Sequence, residues 1–179
     1  MDIGSEPVKH GAVIAAALAS QTASATADSA VARLVGTWRL VADTQRMADG
    51  TVRPDPNVGG HARGYIIYTS TGHMCAMLAN SDRQRWISTD RPTAAEALAI
   101  PENMLAYCGT YSVDEPGGFI LHHIEIDLSP NRVGADRKRF FTLSGNRLIL
   151  RPAPPLPDGV QDWTVTWERV SEPKARDKE

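Results

Sequence analysis

The chain has 179 residues, 22% of them charged, and a formal net charge of −2, the make-up of a single ordinary domain. Its Lys and Arg are scattered, with no run longer than Arg137-Lys138-Arg139, so there is no basic stretch to suggest nucleic acid or an anionic membrane as partner. No apolar stretch reaches the roughly 18 residues that span a bilayer, and membrane insertion is not expected.

The first 30 residues differ from the rest. Lys9 and His10 precede the Ala-rich run from Gly11 to Ala19, and Ala25-Thr26-Ala27 makes a small-x-small site before Asp28. This is the layout of a secretory signal peptide. Residues 1–27 are therefore expected to be a leader, and the protein periplasmic or secreted. Asp2 and Glu6 are acidic where such a leader is basic, so the alternative is an appended Ala-rich helix on a cytoplasmic protein.

From residue 32 to 170 the pattern is β. Leu34 to Thr44 reads as the first strand, followed by a long turn-rich loop through Asp49-Gly50, Pro54, Pro56 and Gly59-Gly60. Gly64 to Thr69 is rich in β-branched and aromatic residues and reads as the second strand. Ser70-Thr71-Gly72 suits a hairpin loop with Gly in the left-handed conformation, and His73 to Asn80 returns as the third. Thr93-Ala94-Ala95-Glu96 has the form of a capping box, which predicts a short helix ended by Pro101. Strands four to eight are expected at Leu105–Val113, Phe119–Leu128, Asp136–Leu143, Arg147–Arg151 and Val160–Val170, and residues 171–179 form a polar tail. Eight strands in hairpin succession are enough to close an up-and-down barrel around one small ligand. The two cysteines, Cys75 and Cys108, are too few for a disulfide framework and lie in no CxxC. They are read as buried free thiols acting as small apolar side chains.

Gly36-Thr37-Trp38 opens the first strand and Arg169 ends the last. This pairing resembles the closure of lipocalin and calycin barrels, in which the Trp seals one end and the Arg lies against it, a cation–π contact worth about 0.5–2 kcal/mol. Further runs carry a narrower resemblance: Gly64-Tyr65-Ile66-Ile67-Tyr68, Gly72-His73-Met74, Ala106 to Tyr111, His122-His123-Ile124-Glu125, Pro130-Asn131-x-x-Gly134 and Arg139-Phe140. In this order they resemble small bacterial and fungal lipocalin-like domain proteins. That resemblance implies an all-β, eight-stranded antiparallel up-and-down barrel with a short helix between strands three and four. It implies no single reaction or ligand.

Alternate residues of a strand share a face. Pairing strands four and five with Val113 opposite Phe119 gathers Tyr107, Tyr111, His123 and Glu125 on one side. Pattern alone leaves open whether this side or the Ile120, Ile124, Ile126 side turns inward; the family resemblance favours the Tyr/His/Glu side. A buried Glu125 needs a cation, which Arg139 supplies if it pairs opposite residue 125. Tyr68 and Met74 are expected to align across the hairpin as a further wall. The candidate ligand-binding set is thus Tyr68, Met74, Tyr107, Tyr111, His123, Glu125 and Arg139, with Trp38 and Arg169 structural. His122 and His123 point to opposite faces and cannot chelate one ion together, and no metal or cofactor is expected.

Two functions fit this set. One is binding of a small, mostly apolar or aromatic metabolite within the barrel, by a monomer or homodimer. The other is a cofactor-free isomerase, cyclase or lyase, with His123 as general base, Glu125 orienting it and Tyr107 hydrogen-bonding an oxyanion. Such acid–base groups contribute about 10²–10⁴-fold each.

Overall fold

The computed structural model describes residues 29–171 together with Met1. The leader expected at 1–27, Met1 apart, and the tail beyond residue 171 lie outside the described residues.

Nine strands form one antiparallel sheet: β1 (Gly36–Met47), β2 (Val52–Pro54), β3 (Ala62–Tyr68), β4 (His73–Asn80), β5 (Met104–Asp114), β6 (Phe119–Asp127), β7 (Asp136–Ser144), β8 (Arg147–Pro152) and β9 (Val160–Arg169). Each strand from β3 to β9 pairs with the next, and β9 returns to pair with β1, from Trp38↔Arg169 to Met47↔Val160. Eight strands thus close the expected barrel, which leaves it no open sheet edge. The ninth, β2, is a short strand in the loop expected after strand one. It pairs with β1 at Thr44–Arg46, beyond the β1–β3 pairing that ends at Arg39↔Tyr65.

A helical turn precedes the barrel where extended chain was expected. Helix α1 (Ala30–Leu34) is capped by the Ser29 side chain, which accepts from the Ala32 N–H. This bond satisfies one of the free N–H groups at a helix start. Leu34 is buried at the base of the core beside Trp38, and the Trp38 Nε1–H donates to the Leu34 carbonyl at 2.9 Å. The second helix, α2 (Ala94–Ala99), lies between β4 and β5 and carries the capping box, Thr93 and Glu96 each bonding the other's backbone N–H. None of its residues is buried.

Two β-bulges decide which side chains reach the interior. In β1, Leu40 pairs with Trp167 and Ala42 with Thr166, leaving Val41 as an extra residue. In β6, Ile124 pairs with Gly109 and Ile126 with Cys108, leaving Glu125 extra. An extra residue inverts the in–out alternation beyond it. Trp38 and Leu40 therefore point inward on one side of the Val41 bulge, and Asp43 and Gln45 on the other. In β6 the inward set is Ile120, His122 and Ile124; past Glu125 the inward residue is Asp127, while Ile126 is 68% exposed.

The cysteine expectation is corrected. Cys75 and Cys108 stand directly opposite each other in β4 and β5, with Cα atoms 4.1 Å apart, and form a disulfide. The pair lies on the outer face, where Cys75 is exposed. Neither residue is a buried apolar filler.

Candidate functional site

One end of the barrel is shut. The Arg169 guanidinium stacks 4.1 Å from the Trp38 ring centroid and donates to the carbonyls of Val35, at 2.7 Å, and Arg33. Gly36 is required here, because its φ of +138° disfavours any side chain and a Cβ would meet that guanidinium.

Above this floor sits a buried chain of three side chains. The Tyr68 hydroxyl is 2.8 Å from His122 Nε2, and the Tyr107 hydroxyl is 3.0 Å from His122 Nδ1. His122 is fully buried; that burial first, and then the charges of Arg139 and Arg137, push it down to about 3. The ring is therefore neutral, with one donor nitrogen and one acceptor. Tyr68 is also buried, and His122 is its hydroxyl's sole protein partner among the described residues. A buried O–H left without an acceptor costs about 1–3 kcal/mol. Tyr68 accordingly donates to Nε2, and Nδ1–H donates to the Tyr107 oxygen. The Tyr107 O–H is then left free, and Tyr107 lines a cavity.

That cavity has a volume of about 480 Å³ and occupies the half of the barrel away from Trp38. Its apolar wall includes Ile66, Leu78, Leu150, Trp163 and Trp167. The indole N–H of Trp167 is buried and meets no protein acceptor among the described residues. Its polar wall is made of Asp43 and Asp55 on one side and Arg137 and Arg139 from β7. Asp43 accepts a 2.6 Å hydrogen bond from Trp163 Nε1–H on one carboxyl oxygen. Desolvation first, and Asp55 nearby, push its carboxyl up to about 7 against the pull of Trp163 and Arg139. Burial also raises Asp55, whose Oδ1 accepts from the Asn57 backbone and side chain.

Arg137 is partly engaged. Its guanidinium lies 4.7 Å from the Tyr107 ring centroid and 3.7 Å from the buried Asp127 carboxylate. Arg139 bonds the Lys138 carbonyl at 3.1 Å. Among the described residues it has no carboxylate within ion-pair distance.

The expected cluster is thus divided. His123 does not face the interior: its Nδ1 lies 2.7 Å from Asp136 and its Nε2 3.0 Å from the Ser112 hydroxyl, on the outer surface. Glu125 is exposed at the bulge. The reason is register. Val113 pairs with Ile120, one residue from the expected partner, and this turns His122 inward in place of His123. Arg139 faces Ile120 across β6–β7, not Glu125. His123 and Glu125 therefore cannot act as base and orienting group in the cavity. Tyr68 and Met74 pair across the hairpin and are fully buried beneath the cavity. Tyr111 spends its hydroxyl on the Thr69 carbonyl at 2.9 Å. Of the expected set, Tyr107 and Arg139 line the cavity. Asp43, Asp55 and Arg137 were missed; His122 stands on the isoleucine side of strand five, which the pattern leaves open. Asp43 in particular carries no sequence signal, since plain alternation from Trp38 places it in water.

A closed antiparallel barrel, sealed at one end by a Trp–Arg pair and hollow at the other, is the calycin type of architecture. The chain belongs to the family described as the lipocalin-like domain, whose model matches residues 35–170. A structural match is the crystal structure of an asparagine-to-glutamine mutant of the fluorescent protein UnaG. It is 11% identical and covers 78% of this chain and 97% of that chain, with a TM-score of 0.32. No curated protein sequence matches the chain. Lipocalin-like barrels are typically small-ligand binders.

Proposed function

We propose that the protein binds a small, mostly apolar or aromatic metabolite carrying one polar or acidic group, inside the barrel. The observation that carries this is the cavity itself: about 480 Å³, walled by aliphatic and indole side chains on one side and by Arg139, Arg137, Asp43 and Asp55 on the other. This falls within the range of small-molecule sites, which combine apolar walls with a few placed polar groups. The free Tyr107 O–H and the unneutralised Arg139 are two donors for acceptor atoms on a ligand.

Native mass spectrometry of protein purified from its host tests this, together with titration by the dye anilinonaphthalene sulfonate. A bound organic mass, displaced by the dye as Trp163 and Trp167 fluorescence is quenched, is the expected outcome. Ala76→Trp, which fills the cavity from β4, should abolish both. Dye binding that survives Ala76→Trp unchanged would place the ligand elsewhere.

The same reading extends to location. A disulfide between Cys75 and Cys108 favours an oxidising compartment, which supports a periplasmic or secreted protein.

A further inference from the structure

The Val41 bulge turns a carboxyl into the cavity, and the protein uses half of it. Trp163 Nε1–H fixes Asp43 Oδ1 at 2.6 Å. Oδ2 makes no protein hydrogen bond among the described residues, yet it is not one of the fully occluded polar atoms. Since Asp43 is only 8% exposed and lines the cavity, that oxygen opens into the cavity. Across the same space stands Arg139, a cation with no carboxylate partner among the described residues. A held carboxyl with one free oxygen, opposite a free guanidinium, is the pairing that moves a proton from carbon while stabilising the resulting oxyanion.

We propose that Asp43 is a proton-transfer group acting on a carbonyl compound bound in the cavity, with Arg139 pairing the enolate oxygen that forms. This rests on the reading of the cavity as a ligand site. In the step, the Asp43 carboxylate takes a proton from the carbon next to the carbonyl. The C–H electron pair becomes a C=C bond, and the carbonyl π electrons move to oxygen, which lies against Arg139. The Asp43 carboxylic acid then returns a proton to the same carbon or to a conjugated one. Return to the same carbon inverts or exchanges it; return to the other shifts a double bond. Both routes need no cofactor, and both leave atoms and electrons balanced.

The environment supports the assignment. The groups facing Asp43 are Trp163 of β9, Asp55 from the segment after β2 and Arg139 of β7. Arg53 is turned to Gln45, donating to its side-chain oxygen at 3.1 Å. Burial first, with Asp55 adding to it and Trp163 and Arg139 pulling the other way, holds the carboxyl at about 7, where both protonation states are populated at neutral pH and a base is also a competent acid.

The probe is β-tetralone, an apolar aromatic ketone with acidic C–H bonds beside its carbonyl. Its binding is read by quenching of Trp163 and Trp167, and its exchange in D₂O by loss of the proton signal in NMR. We expect binding, with exchange catalysed by the protein, rising with pH through neutrality and blocked by anilinonaphthalene sulfonate. Asp43→Asn keeps the bond from Trp163 and should slow exchange, measured at saturating β-tetralone, by about 10²-fold or more. Arg139→Gln should slow exchange and move its pH midpoint upward, since a cation that favoured the Asp43 carboxylate is lost; the slowing itself is the deciding reading. Binding without exchange, or exchange equal in wild type and Asp43→Asn, overturns the proposal and spares the ligand site. Absence of β-tetralone binding in wild type overturns the cavity reading for this class of ligand, and the proposal with it. Exchange in the wild-type protein that is indifferent to the dye overturns the proposal even if no variant folds.

Discussion

The Arg169 guanidinium lies over the Trp38 indole, 4.1 Å from its centroid, while its nitrogens reach back to the carbonyls of Val35 and Arg33. One side chain thereby joins the last strand to the first and fixes the turn of helix before it. Trp38→Ala should cost about 3–5 kcal/mol, the range for emptying a large buried aromatic. Arg169→Met keeps much of the packing but leaves two carbonyls short of a donor, and should cost about 1–3 kcal/mol. Denaturant midpoints decide both; a Trp38→Ala midpoint equal to wild type would remove the closure argument.

His122 contributes a pH dependence of defined sign. Its folded pKa, about 3, lies below the ordinary 6.5. The stability it contributes is intact above 6.5 and is lost as pH falls toward 3, because the unfolded chain binds the proton first. His122→Gln should lower stability at neutral pH and flatten the acid-side decline. An unchanged slope across that window would show that the Tyr68–His122–Tyr107 chain does not govern it.

Asp43 acts in the opposite sense. Its folded pKa is raised from 3.8 to about 7, and Asp55 is raised by burial as well. The associated stability is fully present below 3.8 and lost as pH rises through about 7. Asp43→Asn should therefore gain on wild type as the solution becomes alkaline. Between 3.8 and 6.5 the His122 and Asp43 effects oppose each other, so only the single variants separate them in thermal scans.

The disulfide closes a loop with a sequence separation of 33, which the chain-entropy relation values at about 3–4 kcal/mol. The double variant Cys75→Ser, Cys108→Ser should melt lower by that order. Alkylation of the native protein should modify neither residue until a reductant is added. Ready labelling of both without reduction would contradict the bond.

Gly109 is bound to its position by the β6 bulge. A Cβ there would run into the His123 carbonyl oxygen and the Glu125 N–H. Gly109→Ala is expected to disturb the bulge and unseat His122, seen as a changed environment of the Tyr68 and Tyr107 rings in near-UV circular dichroism.

Strand succession and the α2 capping box were readable from local chemistry: periodicity, turn residues and a side-chain bond reaching three residues; the Trp38–Arg169 pair came from the resemblance to lipocalin and calycin barrels. What defeated sequence reading was phase. One residue of register between β5 and β6 exchanged His122 for His123, and no propensity distinguishes two adjacent histidines. The same ignorance hid the disulfide, since Cys75 and Cys108 meet only when β4 and β5 are aligned. Asp43 was hidden more deeply. Val41 looks like any strand residue, and nothing in its chemistry marks it as the extra one. The site lies where such irregularities fall, because a polar group enters a barrel wall most readily where the alternation breaks.

Val41 therefore behaves as a punctuation mark in the lining. Take Val41 into the ladder as an ordinary rung, and everything after Leu40 slides one step along β9 and reads in the other frame. Ala42 and Thr44 would face the hollow, and Asp43 and Gln45 the water. The vessel would keep its walls and lose this acid, through a change of phase at one aliphatic side chain.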